Sequence, residues 1–456
     1  MIYDFFEIDK SADTLLYEQL YEKIIQAISA KQLSKGDKLP SIRQLSENLH
    51  ISRTTVQTAY DQLCAEGYIN NAPKKGYFIE ANTEIIPSKK KSEGLQPSDT
   101  EINIPIKYDF SSSGIDPKYI DIKYWRRCVS EILTRQYEIS SYGDPQGEHA
   151  LREALCSYSK NIRGTIVSAD RIIIGAGTQA LLSILLGICG EYGKNVAIEK
   201  GFFPQGEQIF KDHGFEMTPL KADKNGIILD NTVKSRILFI NSSGSIRGSA
   251  PLSINKRSEI ISWAKKHDAI IIEDDYNGEL RYTSKPVPAL QGLCSERVVY
   301  IGSFSKLLLP SVRIGYMIIP DTLTNTYSAY SKYYNQTSSK IEQLALAEYI
   351  NAGRLDKQLR KLRKIYAEKC DILVKSIKAH FGNCVSIDII ETALCVRIKL
   401  RSENSLDMHK EQALKNGIIL GKCREKNGLK YFYLSFSGIS AENIDSAAAA
   451  LKKAWE

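Results

Sequence analysis

Six short runs of nearly continuous apolar residues, separated by longer helical stretches, constrain this chain more than any other feature. They are "RIIIG" (171–175), "NVAIE" (195–199), "ILFIN" (237–241), "AIIIED" (269–274), "RVVYIG" (297–302) and "RIGYMII" (313–319). A strand that is apolar on both faces needs cover on both, and intervening helices supply it. The pattern predicts an α/β unit, 108–456, with a mostly parallel sheet between two layers of helices and a smaller C-terminal α+β subdomain. In such sheets the functional loops gather beyond the carboxyl ends of the strands.

The bulk composition is compatible with this reading. The 456 residues are 43% hydrophobic and 25% charged, as expected of a folded chain of two or three units. The longest apolar stretch, "ALLSILLGIC" (180–189), is too short to cross a bilayer. The start, "MIYDFFEIDKSADTLLYEQ", has acids and no basic leader region, so no signal peptide is expected. Nine cysteines without a CxxC or metal-like spacing read as free thiols in a reducing cytoplasm. A net charge of +8 is mild at this length and does not alone imply nucleic acid.

Residues 1–80 follow different rules. "LLYEQLYEKIIQAISAKQ" places Leu16, Leu20, Ile24 and Ile28 at helical spacing. Gly36 and Pro40 open a turn, Ser41 is placed to cap a short helix, and Ser52 to cap a second that ends at Gly67. "YINNAPKKGYFIE" reads as strand, tight turn, strand. Helix, helix, turn, helix and a two-stranded wing make a winged helix-turn-helix. Between residues 31 and 57 the bases Lys31, Lys35, Lys38, Arg43 and Arg53 outnumber Asp37 and Glu47, and the wing adds Lys74 and Lys75. That positive face coincides with the helix that would enter a DNA groove. Ser52, Arg53, Thr54, Thr55 and Gln57 at its start can reach phosphates or base edges. The stretch "LPSIRQLSENLHISRTTVQTAYDQLCAEGYI" closely resembles the GntR family of bacterial winged-helix regulators over about thirty consecutive positions. Double-stranded operator DNA is the partner this implies.

Residues 81–107, "ANTEIIPSKKKSEGLQPSDTEINIPIK", are polar and have no hydrophobic period, so they read as a flexible tether. Lys89, Lys90 and Lys91 within it either touch DNA phosphates or are solvated.

Three strand ends of the large unit carry chemistry. "GAGTQALL" (175–182) is a glycine turn opening a helix, whose free N–H groups suit a phosphate. "EDDYNGELRY" is an acid cluster with a tyrosine, which alone would also suit a metal or a capped turn. "SFSKLLLPSVRIGY" offers the hydroxyls of Ser303 and Ser305, the amine of Lys306 and the fork of Arg313. Taken together they describe one ligand. A lysine amine condenses with an aldehyde. An aspartate keeps a pyridine nitrogen protonated, so that the ring acts as an electron sink. A tyrosine bonds the ring oxygen, and serines, an arginine and a helix N-terminus hold a phosphate. That ligand is pyridoxal 5′-phosphate. The 32 residues from Asp274 to Lys306 leave room for one crossover.

"SYGDPQGEHALREAL", "GAGTQALL", "IEDDYNGELRY" and "SFSKLLLPSVRIGY" make residues 108–456 similar to fold-type I aminotransferases. With the GntR-like head, the whole chain resembles the MocR subfamily of regulators. The resemblance implies that Lys306 carries the cofactor, Asp274 faces its pyridine nitrogen and Tyr276 its ring oxygen. Ser303, Ser305, Arg313, Thr178 and the Gly177 backbone would hold the phosphate. Phe203 would lie over the ring, and Tyr142 would reach the phosphate of a partner subunit. Phe203 and Tyr142 also suit plain core positions, and Asp275 rivals Asp274 because adjacent strand residues face opposite ways. The resemblance also implies a head-to-tail homodimer.

Three stretches depart from the relatives. "EKGFFPQGEQ" lacks their proline-tyrosine pair and following arginine, and "NSSGSIRGS" (241–249) keeps only Gly248 of their proline-threonine-glycine loop, leaving Asn241 or Ser245 as substitutes. "YFYLSFSGI" (431–439) has no arginine where aminotransferases clamp a substrate carboxylate. Charge-assisted hydrogen bonds contribute roughly 1.5–3 kcal/mol each, so the loss weakens substrate binding by orders of magnitude. Arg247 could supply a displaced clamp, while Arg397 reads as a strand surface residue. The favoured function is a regulator sensing pyridoxal phosphate or its adduct with an amine, controlling vitamin B6 or amino-acid metabolism genes. A working aminotransferase with a regulatory head, and a cofactor-free dimerisation scaffold, are the alternatives.

Overall fold

The computed structural model describes residues 8–12, 14–81, 105–111, 114–199, 203–223, 226–230, 232–243, 252–282 and 287–456. Most of the expected tether, with Lys89, Lys90 and Lys91, lies outside the described residues, as do Ser245, Arg247 and Gly248. Two compact units make up the chain, Met1–Asn103 and Ile104–Glu456.

In the first unit, helix α1 (Leu16–Ser29) turns Leu20, Ile24 and Ile28 inward against Val56, Tyr60 and Leu63 of α3 (Arg53–Ala65). Between them α2 (Ile42–Leu49) is held at both ends. The Ser41 hydroxyl accepts the Gln44 N–H at 3.2 Å, and His50 closes the helix in the left-handed region. Strands β1 (Ile69–Ala72) and β2 (Gly76–Ile79) pair antiparallel from Ile69 opposite Ile79 to Ala72 opposite Gly76. Lys74 and Lys75 lie exposed on the turn. This is the winged helix-turn-helix predicted from the sequence.

The second unit is organised by one sheet of seven strands: β3 (Ile172–Gly175), β4 (Asn195–Ile198), β5 (Glu216–Pro219), β6 (Ile237–Ile240), β7 (Ile270–Asp274), β8 (Val298–Ser303) and β9 (Gly315–Ile318). Their order across the sheet is β3-β9-β8-β7-β6-β4-β5. Only β9 is antiparallel to its neighbours. Successive residues alternate between covered faces. Ile270 and Ile272 pack with Leu181, Leu182 and Leu185 of α4 (Thr178–Ile188), while Ile271 packs with Ile260 and Trp263 of a helix on the other side. Beyond the sheet, α5 (Arg354–Phe381) and α6 (Ile444–Trp455) cover a four-stranded antiparallel sheet. Its strands are β10 (Val385–Ile390), β11 (Cys395–Leu400), β12 (Cys423–Lys426) and β13 (Leu429–Ser435), in the order β10-β11-β13-β12. This is the smaller C-terminal subdomain.

Among the described residues no helix is long and apolar enough to cross a membrane, and no group of His, Cys, Asp and Glu side chains could hold a metal ion.

Candidate functional site

Sheet register assembles the body's candidate site. Gly175, the last residue of β3, pairs with Gly315, the first of β9, and Gly315 pairs with Ser303, the last of β8. Asp274 ends β7 opposite Ile301 of β8. Because β9 runs antiparallel, the residues that precede it, Arg313 included, reach the same edge as the carboxyl ends of β3, β7 and β8. Lys306, Asp274, Tyr276, Ser303, Ser305, Arg313, Gly177 and Thr178 are thus all carried on segments leaving one edge.

At one end of this edge the donors suit an anion. Helix α4 begins at Thr178 with Gly177 as N-cap at φ +83°, and no side chain caps it. The positive φ favours glycine there, and a Cβ on Gly177 would also crowd Arg313 Nη2 at 3.1 Å. Arg313 Nη2 donates to the Ala176 carbonyl at 3.2 Å. The Ser303 and Ser305 hydroxyls are 2.9 Å apart. Open N–H groups of a helix start, two hydroxyls and a guanidinium form a set suited to phosphate.

Next comes the amine. Lys306 is only 5% exposed. Its Nζ donates to the Gly114 carbonyl at 3.0 Å, which also accepts from Ser437 Oγ at 2.8 Å. Burial pulls Lys306 down to about 8, against the opposing pull of Asp109. A lysine so shifted has far more of the unprotonated amine that attacks a carbonyl.

The two adjacent aspartates differ sharply. Asp275 is saturated: Arg163 grips it through Nε at 2.5 Å and Nη2 at 3.0 Å, Ser243 donates at 2.6 Å and Tyr300 at 2.8 Å. Asp274, equally buried, takes no hydrogen bond from a described residue. Burial first, and the Asp275 charge second, push it up to about 7. A buried carboxyl without a donor suits a ligand that brings a cationic N–H, as a pyridinium does. Tyr276 follows, half-buried beside a small cleft shared with Tyr433, Ser435, Cys395 and Lys422. The donor chemistry of these residues suits pyridoxal phosphate.

Phe203 begins the helix Pro204–Asp212 beyond β4, half-buried, with its ring 6.4 Å from that of Phe239. Tyr142 is 92% exposed, so a single chain does not gather it into the cluster. Asn241 accepts the Ser243 N–H at 2.9 Å, which occupies it as a turn cap. Arg397 is a half-buried strand residue of β11 gripping Asp388 at 2.7 and 3.0 Å. Sequence reasoning missed Arg163, which lies 112 residues before the acid it holds. It also missed Tyr433, which side-chain alternation along "YFYLSFS" would have placed on the same face as Ser435.

In the head, Ser52, Arg53 and Thr54 are exposed at the start of α3, and Thr55 and Gln57 half-buried. Ser52 Oγ accepts the Thr55 N–H at 3.0 Å, so this serine is first a helix cap, as Ser41 is for α2. Arg43 pairs with Glu47 at 3.0 Å and Gln57 donates to Asp61 at 2.8 Å. Among the described residues Arg53, Lys74 and Lys75 have no such intramolecular ion pair.

The two units define a regulator class: a winged helix-turn-helix head joined to a body with an aminotransferase fold. The profile described as "Bacterial regulatory proteins, gntR family" matches residues 16–79, and "Aminotransferase class I and II" matches residues 117–451. The chain belongs to the MocR subfamily of GntR-type transcription regulators. It is 33% identical to the uncharacterised HTH-type transcriptional regulator YhdI of Bacillus subtilis, over 98% of this chain and 97% of that one. It is 29% identical to the probable rhizopine catabolism regulatory protein MocR of Rhizobium meliloti, over 84% and 81%. It is also 29% identical to the pyridoxine biosynthesis transcriptional regulator PdxR of Corynebacterium glutamicum, over 79% and 78%. The body shares its fold with an archaeal alanine:glyoxylate aminotransferase, with a TM-score of 0.69 at 22% identity over 77% of this chain and 91% of that one.

Proposed function

We propose that this regulator binds pyridoxal 5′-phosphate through Lys306 and converts its occupancy into a change in operator binding by the head. The observation that carries the reading is the pairing, at one sheet edge, of a buried amine with a buried carboxyl that has no donor among the described residues. When bound, the cofactor supplies an aldehyde for the amine and a pyridinium for the acid. Lys306 provides the nucleophilic nitrogen, Asp274 holds a proton on the ring nitrogen, and Tyr276 bonds the ring oxygen. Ser303, Ser305, Arg313, Thr178 and the Gly177 backbone take the phosphate. Phe203 covers the ring, and Tyr142 serves the site of a second copy in a head-to-tail homodimer.

The DNA-reading surface is the start of α3 with Ser41, Arg43, Ser52, Arg53, Thr54, Thr55 and Gln57, together with wing residues Lys74 and Lys75. The head comprises residues 1–80, the tether 81–107 and the body 108–456, and the protein works in the cytoplasm, where its operator is. Strand β13 offers no arginine for a substrate carboxylate, which favours sensing over turnover. The name of the C. glutamicum relative supports control of vitamin B6 genes.

The test is the visible absorption of the purified chain after loading with pyridoxal phosphate and dialysis. A retained yellow band that Lys306→Ala abolishes is the expected result. A parent chain that keeps no band refutes the reading.

A further inference from the structure

The body carries a basic surface that the cofactor site does not use. Between residues 354 and 364, at the start of α5, six bases stand against the single acid Asp356. Leu355, Leu359 and Leu362 turn inward, so Lys357, Arg360, Lys361 and Lys364, at spacings i, i+3, i+4 and i+7, share the exposed face. Among the described residues none of these four pairs with a carboxylate. Lys361 donates instead to the Tyr119 carbonyl at 3.2 Å, and Arg360 to the main-chain carbonyl of Asp356 at 3.4 Å. A second row lies alongside: Lys123, Arg126 and Arg127 are exposed at helical spacing on the helix Ile122–Thr134. The two helix starts meet at Tyr124, whose ring centre is 4.0 Å from the Arg354 guanidinium and 5.9 Å from that of Arg127. The neighbouring acids are engaged. Asp121 caps its helix and pairs with Arg354 at 3.7 Å, Glu131 and Glu348 hold Arg135, and Glu442 holds Lys118.

This arrangement works against the helix that bears it. Like charges at i,i+4 repel, and Arg354 and Lys357 occupy a first turn whose dipole favours acids. A face arranged for stability alone would interleave acids, as the following turns do with exposed Glu368 and Asp371. From Lys357 to Lys364 the row is about 10 Å long. A duplex presents one phosphate per roughly 1.7 Å of its axis, so a row of this length matches several phosphates at once.

We propose that this surface binds the phosphate backbone of duplex DNA flanking the site read by the head. The head keeps such DNA within reach, because residues 81–107 span roughly 90 Å at full extension and about 30 Å on average as a flexible chain. Backbone contacts of this kind add affinity without sequence preference. They also make DNA a ligand of the body as well as of the head, so a change in the body's arrangement acts on DNA binding directly.

The test uses the full chain and a duplex that it selects from a random-sequence pool. The duplex is prepared trimmed to the selected core and with flanks of about 30 base pairs, which at roughly 3.4 Å per pair exceed the reach of the tether. Lys357→Gln, Arg360→Gln, Lys361→Gln and Lys364→Gln are combined, since glutamine is a good helix former without charge. The melting temperature should hold or rise as the repulsion is removed. On the flanked duplex, raising salt from about 50 to about 200 mM should weaken the parent on the order of 100-fold more than the variant, the difference that four phosphate contacts give. On the trimmed duplex the two should match. A control variant combining Lys265→Gln, Lys410→Gln, Lys415→Gln and Lys452→Gln removes equal charge from lysines that already hold acids, and should keep the parent's salt dependence. Equal losses on both duplexes, equal losses in both variants, or no loss at all overturn the proposal, as does a parent that gains no affinity from the flanks. Unchanged DNA affinity with lost transcriptional control would overturn it too, and would assign the surface to an acidic protein. None of these outcomes bears on the cofactor reading above, which the yellow band tests separately.

Discussion

The assignment of the two aspartates can be tested through Arg163. Its side chain and that of Asp275 are both wholly buried, and the guanidinium also donates to the Val287 carbonyl at 2.5 Å and to Ser243 at 3.2 Å. Arg163→Met keeps an unbranched apolar side chain of similar length but leaves Asp275 buried with only Tyr300 and Ser243 as donors. Removing one partner of a buried pair costs about 3–5 kcal/mol. At about 2 cal/mol/K per residue, that is a melting temperature lower by roughly 4–7 °C for a unit of this size. Asp275→Leu alone should cost a similar amount. The double variant removes both charges and leaves chiefly the Tyr300 hydroxyl unpartnered, so it should cost only about 1–3 kcal/mol. A double-mutant cycle by thermal and urea unfolding would show a coupling of several kcal/mol. The double variant should also retain the yellow band, because Asp274 is untouched, whereas Asp274→Ala should lose it on dialysis. Additive single-variant costs would refute the pair as the structural anchor. A band lost in the double variant and kept in Asp274→Ala would reverse the assignment of the two acids.

Two further outcomes are expected. Asp274 is raised to about 7, so the folded chain favours its neutral form; that contribution is full below about pH 4 and is lost as pH rises through about 7. Lys306 is lowered to about 8, so the stability it removes returns only as pH rises from about 8 towards 10.5. The cofactor-free chain should therefore melt lowest between about pH 7 and 8, and added cofactor should raise its melting temperature most in that window; a flat profile would count against both groups being perturbed. In the head, Arg53→Ala should weaken operator binding by about 1–3 kcal/mol if the arginine reads a base, or reduce the salt slope by about one if it holds a phosphate. Unchanged affinity at every salt concentration would remove α3 as the groove-facing helix.

Much of the framework was legible because it follows from local periodicity. The six apolar runs became β3, β4, β6, β7, β8 and β9 with ends shifted by a residue or two. Strand β5 was not legible. Its four residues, Glu216–Pro219, lie at the sheet edge with no fully buried side chain, so neither apolar continuity nor alternation marks them. Lys306 and Gly177 announced themselves through short motifs whose geometry is local. The sequence favoured Asp274 over Asp275 by resemblance alone, because what separates them physically is Arg163, brought in from a distant helix by the tertiary fold. Tyr433 was hidden for another reason. Alternation groups it with Ser435, but that this face lines a cleft follows only from the packing of β13 against Phe110 and Tyr276.

The pattern of what is kept and what is lost has an energetic reading. The residues kept at the sheet edge are those that would touch the cofactor, while the missing arginine of β13 is one that would touch a substrate. In the cofactor-free fold the buried Asp274 and Lys306 each oppose folding by roughly 3–4 kcal/mol near neutral pH, because each tenfold change in proton affinity is about 1.4 kcal/mol. A bound pyridinium and a condensed amine would relieve both penalties at once. A ligand shifts a conformational equilibrium only by its differential affinity for the two states, and allosteric couplings are typically about 1–3 kcal/mol. An arrangement of the body that leaves either group solvated when the cofactor is absent would release that penalty, and the cofactor would then favour the closed arrangement by an amount in the range a switch requires. An enzyme must keep its cofactor through every turnover, whereas a sensor must respond to cofactor supply. A site that is costly when empty and lacks a substrate clamp serves the second need better than the first.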